Sequence, residues 1–220
     1  MDIVPYLRLW REWCDEMAQR LLKGIVAAMV TPFDSAGTNI DPEATKTLID
    51  FLIGKGIHGL FPLGSTGEAV LMETNMRKKM AELVVEHVNG RIPVVIHVGS
   101  QRYEDVVALT QHAAALNADG IAVIPPYYYH MDDVALEQFF SSIAEMVNIP
   151  IYLYNIPSNA KNHIKASLFA KLAGKYPHIT GMKESSMDFS NFCELVDVAQ
   201  PHHVKLMGND AQILPSLLIA

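Results

Sequence analysis

Cysteine is nearly missing from this chain. Only Cys14 and Cys193 occur in 220 residues, far apart and outside any CxxC spacing. That argues against a disulfide framework or a cysteine-built zinc site and points to a reducing compartment, most simply the cytoplasm. Basic residues are also few, 17 Lys and Arg against 24 Asp and Glu, for a net charge of −7. A phosphate-binding face needs the opposite balance, so nucleic acid is not expected as a partner. No apolar run approaches the roughly 20 residues of a bilayer span, so no membrane partner is expected. The first residues carry Asp2, Arg8, Arg11, Glu12, Asp15 and Glu16, too many charges for a signal peptide. The nine histidines form neither HxH nor HExxH, which disfavours a metal-dependent aldolase. GxGxxG and P-loop patterns are missing too, and neither metal nor cofactor is expected.

Apolar residues, by contrast, are plentiful at 50%, enough for a sizeable core. They gather in short β-branched runs at 24–30, 59–63, 93–98, 120–124, 150–154, 179–182 and 204–207. Continuous rather than alternating apolar runs suit strands buried on both faces of a parallel sheet. Between them lie amphipathic stretches. Asp41-Pro42-Glu43 reads as an N-cap, a proline at the first helical position and an early acid, and Gly54 and Gly56 read as stops. Further helices are expected over 74–87, opened by Thr74 in the same way, and over 103–116, 132–147, 165–172 and 189–198. Seven β/α repeats without a dinucleotide fingerprint predict an α/β fold, a (β/α)₈ TIM barrel truncated after strand seven.

Two units are expected. Residues 1–22 form an N-terminal amphipathic helical extension, with Tyr6, Leu9, Trp10, Trp13, Met17 and Leu21 on one stripe, packed under the barrel or against a partner subunit. Residues 23–220 form the barrel, incomplete because the sequence stops at Ala220, in the helix after strand seven, with no eighth strand or C-terminal helices.

Barrel enzymes place their chemistry at the C-terminal strand ends. Lys183 follows the sixth apolar run, so its amine is expected to enter the mouth among apolar walls, where desolvation favours the neutral form. A neutral amine can attack a ketone to give an imine, and the protonated imine stabilises a carbanion on the next carbon. Tyr154, at the fifth strand end, can relay protons. Gly64-Ser65-Thr66-Gly67-Glu68 suggests a tight turn opening a helix, with backbone N–H groups and two hydroxyls for a carboxylate. Amine, phenol and carboxylate cradle together describe a site for an α-keto acid. His97, inside the third run, reads as a satisfied core histidine.

These residues resemble the dihydrodipicolinate synthase/N-acetylneuraminate lyase family of class I aldolases. The match runs from about Gly24 to the end through GIVAAMVTPFD, GSTGEA, PYYY, YNIP and GMKESS, in order. The resemblance implies that Lys183 forms a Schiff base with pyruvate and that Tyr154 shuttles protons. It implies a relay through Thr66 to a second tyrosine, best aligned with Tyr128, that reaches in from a neighbouring subunit. Ser65 and the turn amides, with Gly64 and Gly67, would hold the pyruvate carboxylate. Relatives are commonly homotetramers, dimers of dimers, and no cofactor is implied.

Two departures stand out. Dihydrodipicolinate synthases carry an arginine where this chain has Asn159, and an amide grips a carboxylate far less well than a guanidinium. Ser185, Gly208 and Asp210 fall in the substrate region, while Ala211 stands where the neuraminate lyase uses a glutamate. The expected substrate is therefore a 2-keto-3-deoxy sugar acid or a neuraminate-like compound. The alternatives are condensation of pyruvate with aspartate semialdehyde and, in another class, a non-catalytic barrel fragment or binding subunit.

Overall fold

The structure, a computed structural model, describes residues 20–220; the helical extension expected over residues 1–22 falls almost wholly outside the described residues. Strands and helices alternate in the order β1 (Val26–Ala28), α1 (Pro42–Gly54), β2 (Gly59–Phe61), α2 (Thr74–Val88), β3 (Val95–His97), α3 (Tyr103–Ala115) and β4 (Gly120–Val123). There follow α4 (Asp133–Ala144), β5 (Ile151–Asn155), the short α5 (Pro157–Ala160), α6 (Ala166–Lys175), β6 (Ile179–Glu184), α7 (Phe189–Val198), β7 (Val204–Met207) and α8 (Ile213–Ile219). Every ladder is parallel and joins consecutive strands. One sheet holds β1 and β2 and the other β3 through β7, with a Leu60–Val94 bridge between them. This succession without crossovers is the wall of a (β/α)₈ barrel, formed as far as its seventh strand. Among the described residues β7 and β1 do not pair, and the wall is open there.

Local chemistry sets the element ends. Asp41 Oδ1 accepts from Ala44 N at 2.9 Å with Pro42 at the first helical position, and Gly56 leaves α1 at φ +79°. A cap of this kind contributes about 1 kcal/mol. Asp132 caps α4 in the same manner, at 2.8 Å from Ala135 N. Thr74 does not open α2 that way: Glu73 holds the cap position without a side-chain bond.

Two apolar layers follow from the period of two along each strand. Ile151 and Leu153 face outward to the helices, with Ile49, Val84, Leu109, Phe140, Leu172 and Leu195. Tyr152 and Tyr154 face the barrel interior, with Leu22, Phe61, Val95, Ala122 and Ile124. Leu22 closes the floor, its N–H donating to the Tyr152 hydroxyl at 3.0 Å. Burial pushes the Tyr152 phenol up to about 12, so it stays neutral.

Candidate active site

Strand β6 runs two residues beyond its apolar stretch, and that extension positions the lysine. Lys183 pairs with Tyr154 and Glu184 with Asn155 in the β5–β6 register. Alternation then sends Lys183 and Tyr154 inward and Glu184 outward. The Lys183 Nζ lies 4.1 Å from the centroid of the Tyr154 ring and 4.4 Å from that of Phe61. Tyr154 itself is buried, edge-on to Phe61 at 5.5 Å, and its hydroxyl has no hydrogen-bond partner among the described residues.

Gly208 completes the back of the lysine. Its N–H donates to Glu184 O at 2.7 Å, and a Cβ built on it would overlap Ser185 Oγ and lie 2.9 Å from Lys183 Cε. Only glycine leaves both side chains in place. Ser185 Oγ is buried and has no hydrogen-bond partner among the described residues. Lys183, Gly208 and Asp210 line one cavity of about 620 Å³, which also meets Val26, Ala28, Leu206 and Met207 at the open β1–β7 seam.

Behind the lysine lies a buried network that the sequence reading missed. Glu184 is fully buried; its carboxylate accepts from Asn155 Nδ2 at 2.8 Å, Ser186 N at 2.7 Å and Asn191 Nδ2. Asn155 Oδ1 in turn accepts from Ile164 N at 2.9 Å, and Asn191 Oδ1 from Ala166 N at 3.2 Å. These bonds tie the ends of β5 and β6 to α6 and α7. The available signal was a carboxylate next to the site lysine with two asparagines near strand and helix ends.

The glycine turn after β2 forms as expected but opens a short 3₁₀ segment, Ala69–Leu71, rather than an α-helix. Gly67 N and Glu68 N close it on Gly64 O and Ser65 O, both at 3.1 Å. Ser65 and Thr66 are exposed at its crest, and their N–H groups have no partner among the described residues. Thr31, three residues beyond β1, donates to Gly67 O at 2.7 Å.

Two expected residues stand apart within one chain. Tyr128 is 70% exposed at φ +84°, with Lys161 Nζ 5.6 Å from its ring, while Tyr127 packs against the interior cluster. Asn159 is exposed on α5, its Oδ1 accepting from Ser158 Oγ at 3.0 Å. His97 also departs from expectation, because it is only half satisfied. It is buried with Nδ1 2.8 Å from Leu63 O, yet Nε2 has no partner among the described residues. Burial, reinforced by the Arg77 charge, pushes His97 down to about 3, so it is neutral. Among the described residues no cluster of three or more His, Cys, Asp or Glu is arranged to hold a metal, and no helix is long and apolar enough to cross a membrane.

Comparison with known proteins places this geometry. An uncharacterized DapA-like lyase of Halobacterium salinarum is 35% identical over 196 residues, 89% of this chain and 64% of that protein. A 4-hydroxy-tetrahydrodipicolinate synthase of Persephonella marina is 33% identical over 199 residues, 90% of this chain and 67% of that one. Among solved structures, a 2-keto 3-deoxygluconate aldolase from Picrophilus torridus superposes with a TM-score of 0.86 at 30% identity, covering 91% of this chain and 72% of its own. The chain thus spans about two thirds of the length of the relatives it matches. The sequence profile of the Dihydrodipicolinate synthetase family matches residues 21–220, and the chain belongs to that family.

Proposed function

We propose that the protein is a pyruvate-dependent class I aldolase or lyase acting through a Schiff base on Lys183. The observation that carries this reading is the lysine amine inside the barrel, 4.1 Å from the Tyr154 ring centroid, on register-paired positions of β5 and β6. The amine adds to the keto carbon of pyruvate and the carbinolamine loses water to give an iminium. Loss of a methyl proton gives an enamine, whose carbon bonds to an aldehyde; hydrolysis frees the product and the lysine. Cleavage is the reverse. Tyr154 carries the protons, with Thr66 passing them on to Tyr128. Tyr128, exposed within one chain, would serve from a neighbouring subunit of a dimer of dimers. Ser65 and the turn amides hold the carboxylate.

For the second substrate we favour a 2-keto-3-deoxy sugar acid or neuraminate-like compound. Asn159 supplies no charge for an aldehyde's carboxylate, while Ser185 and Asp210 offer polar groups to a hydroxylated chain. Condensation with aspartate semialdehyde is the second reading, supported by the name of the Persephonella relative.

Borohydride added with pyruvate is expected to leave a reduced pyruvyl group on the Lys183 peptide, seen by mass spectrometry and absent in Lys183→Ala. A folded protein without the adduct, or with it on another lysine, overturns the reading. Turnover of 2-keto-3-deoxygluconate, N-acetylneuraminate, or aspartate semialdehyde with pyruvate then separates the substrates.

A further inference from the structure

We propose that His97 is the positioning residue of the carboxylate-binding turn, its imidazole holding Leu63 in the left-handed backbone conformation that aims the Ser65 and Thr66 amides. The inference rests on the proposed role of residues 64–68.

Leu63 is the residue on which this turn pivots. It is fully buried at φ +62°, a conformation that a branched side chain adopts only when its surroundings impose it. The imposing contact is the His97 ring, whose Nδ1 sits 2.8 Å from Leu63 O, 34 residues away in sequence. A carbonyl only accepts, so the proton is on Nδ1 and the ring donates. The far end of the turn is tied separately, by the Thr31 hydroxyl on Gly67 O. Between these two ties lie Ser65 and Thr66.

His97 is itself fixed from behind. Arg77, buried on α2, donates from its two terminal nitrogens to His97 O and Gly99 O, both at 2.9 Å. The ring is framed by Phe61, stacked at 6.3 Å, and Tyr154, edge-on at 5.9 Å, the two aromatics that flank the lysine amine. Gly99 makes the room: a Cβ there would lie 2.8 Å from His97 Nε2 and 2.6 Å from Ile124 Cγ1. Nε2 is buried without a partner among the described residues, so an imidazole is an expensive way to fill this space unless the other nitrogen is needed. Burial keeps the ring neutral near pH 7, and the tie does not depend on its titration there.

Three variants of the whole chain test this: His97→Leu, which fills the space without a donor, His97→Asn, which restores a short donor, and Gly99→Ala, which displaces the ring. Two readouts are taken on each, amide hydrogen exchange across residues 63–68 and borohydride trapping against pyruvate concentration. His97→Leu and Gly99→Ala should exchange the Gly67 and Glu68 amides faster by about tenfold or more, with exchange in β5 and β6 unchanged, and Asn should bring it back to within about threefold. In trapping, His97→Leu should raise half-saturating pyruvate by about tenfold and change the saturated rate by less than about threefold. Unchanged exchange in His97→Leu, or a fall in saturated rate alone, overturns the proposal. If the wild-type chain traps no pyruvate, the Schiff-base reading fails, and exchange alone still decides whether His97 holds the turn.

Discussion

The two sides of the barrel mouth are built in opposite ways. Where β5 meets β6, four consecutive residue pairs from Tyr152–Gly181 to Asn155–Glu184 are in register, and a buried carboxylate bonded to two asparagines sits at the strand ends. Where β7 faces β1, no ladder forms among the described residues and Val26, Leu206, Leu217 and Ile213 line an open groove. Lys183 belongs to both sides: its backbone is gripped by the first and its side chain lines the second. The contrast is between a backbone held by strand pairing and buried hydrogen bonds and a strand edge left unpaired among the described residues.

Removing the carboxylate of the rigid side should have the largest effect. Glu184→Ala strands three buried donors, and each unsatisfied group costs about 1–3 kcal/mol. A loss of about 3–5 kcal/mol, the order of three unsatisfied buried donors, is expected in urea unfolding, with much less for Glu184→Gln, which keeps one acceptor oxygen. A loss under about 1 kcal/mol in Glu184→Ala would mean that the network does not fix the strand ends.

A smaller effect is expected where the two sides touch. Gly208→Ala drives a methyl into Ser185 Oγ and Lys183 Cε, and overpacking of this kind costs about 1–3 kcal/mol. Because the lysine must move, pyruvate trapping should slow by about tenfold or more while the thermal midpoint drops a few degrees. Unaltered trapping would show that the amine position does not matter at that scale.

The least disturbance to the fold is expected at the seam. Leu214, Leu217 and Leu218 of α8 are 71%, 73% and 78% exposed, an apolar patch beside an unpaired strand edge. Such patches promote association. Leu218→Glu should reduce concentration-dependent light scattering while shifting stability by no more than about 0.5 kcal/mol. Equal scattering would mean that this patch does not drive association.

How far these features were legible in the sequence depends on their range. Strand β7 and helix α7 lie where the apolar periodicity puts them, and the Asp41-Pro42 start of α1 is a contact between residues three apart. Strand β6 is longer than its apolar run because Lys183 and Glu184 are held by pairing to β5 and β7, which hydrophobicity does not register. Helix α4 ends at Ala144, short of the apolar Met146 and Val147 that continue its pattern. The amine and the phenol were visible as residue types at strand ends. His97 was not recognised as more than core, since its partner carbonyl is 34 positions away and carries no side-chain signature.

What the sequence by itself determined is the succession of β/α units, the buried face of each, and the family motifs that mark Lys183, Tyr154 and the glycine turn; these are local patterns of burial and capping. Only the tertiary structure decided which of those groups meet. Register between β5 and β6 sets lysine against phenol, the Glu184–Asn155 bond joins the two strand ends, and His97 joins the third strand to the turn after the second. Contacts between distant segments depend on how strands slide and side chains alternate, and a one-residue slip would send every one of them to the opposite face.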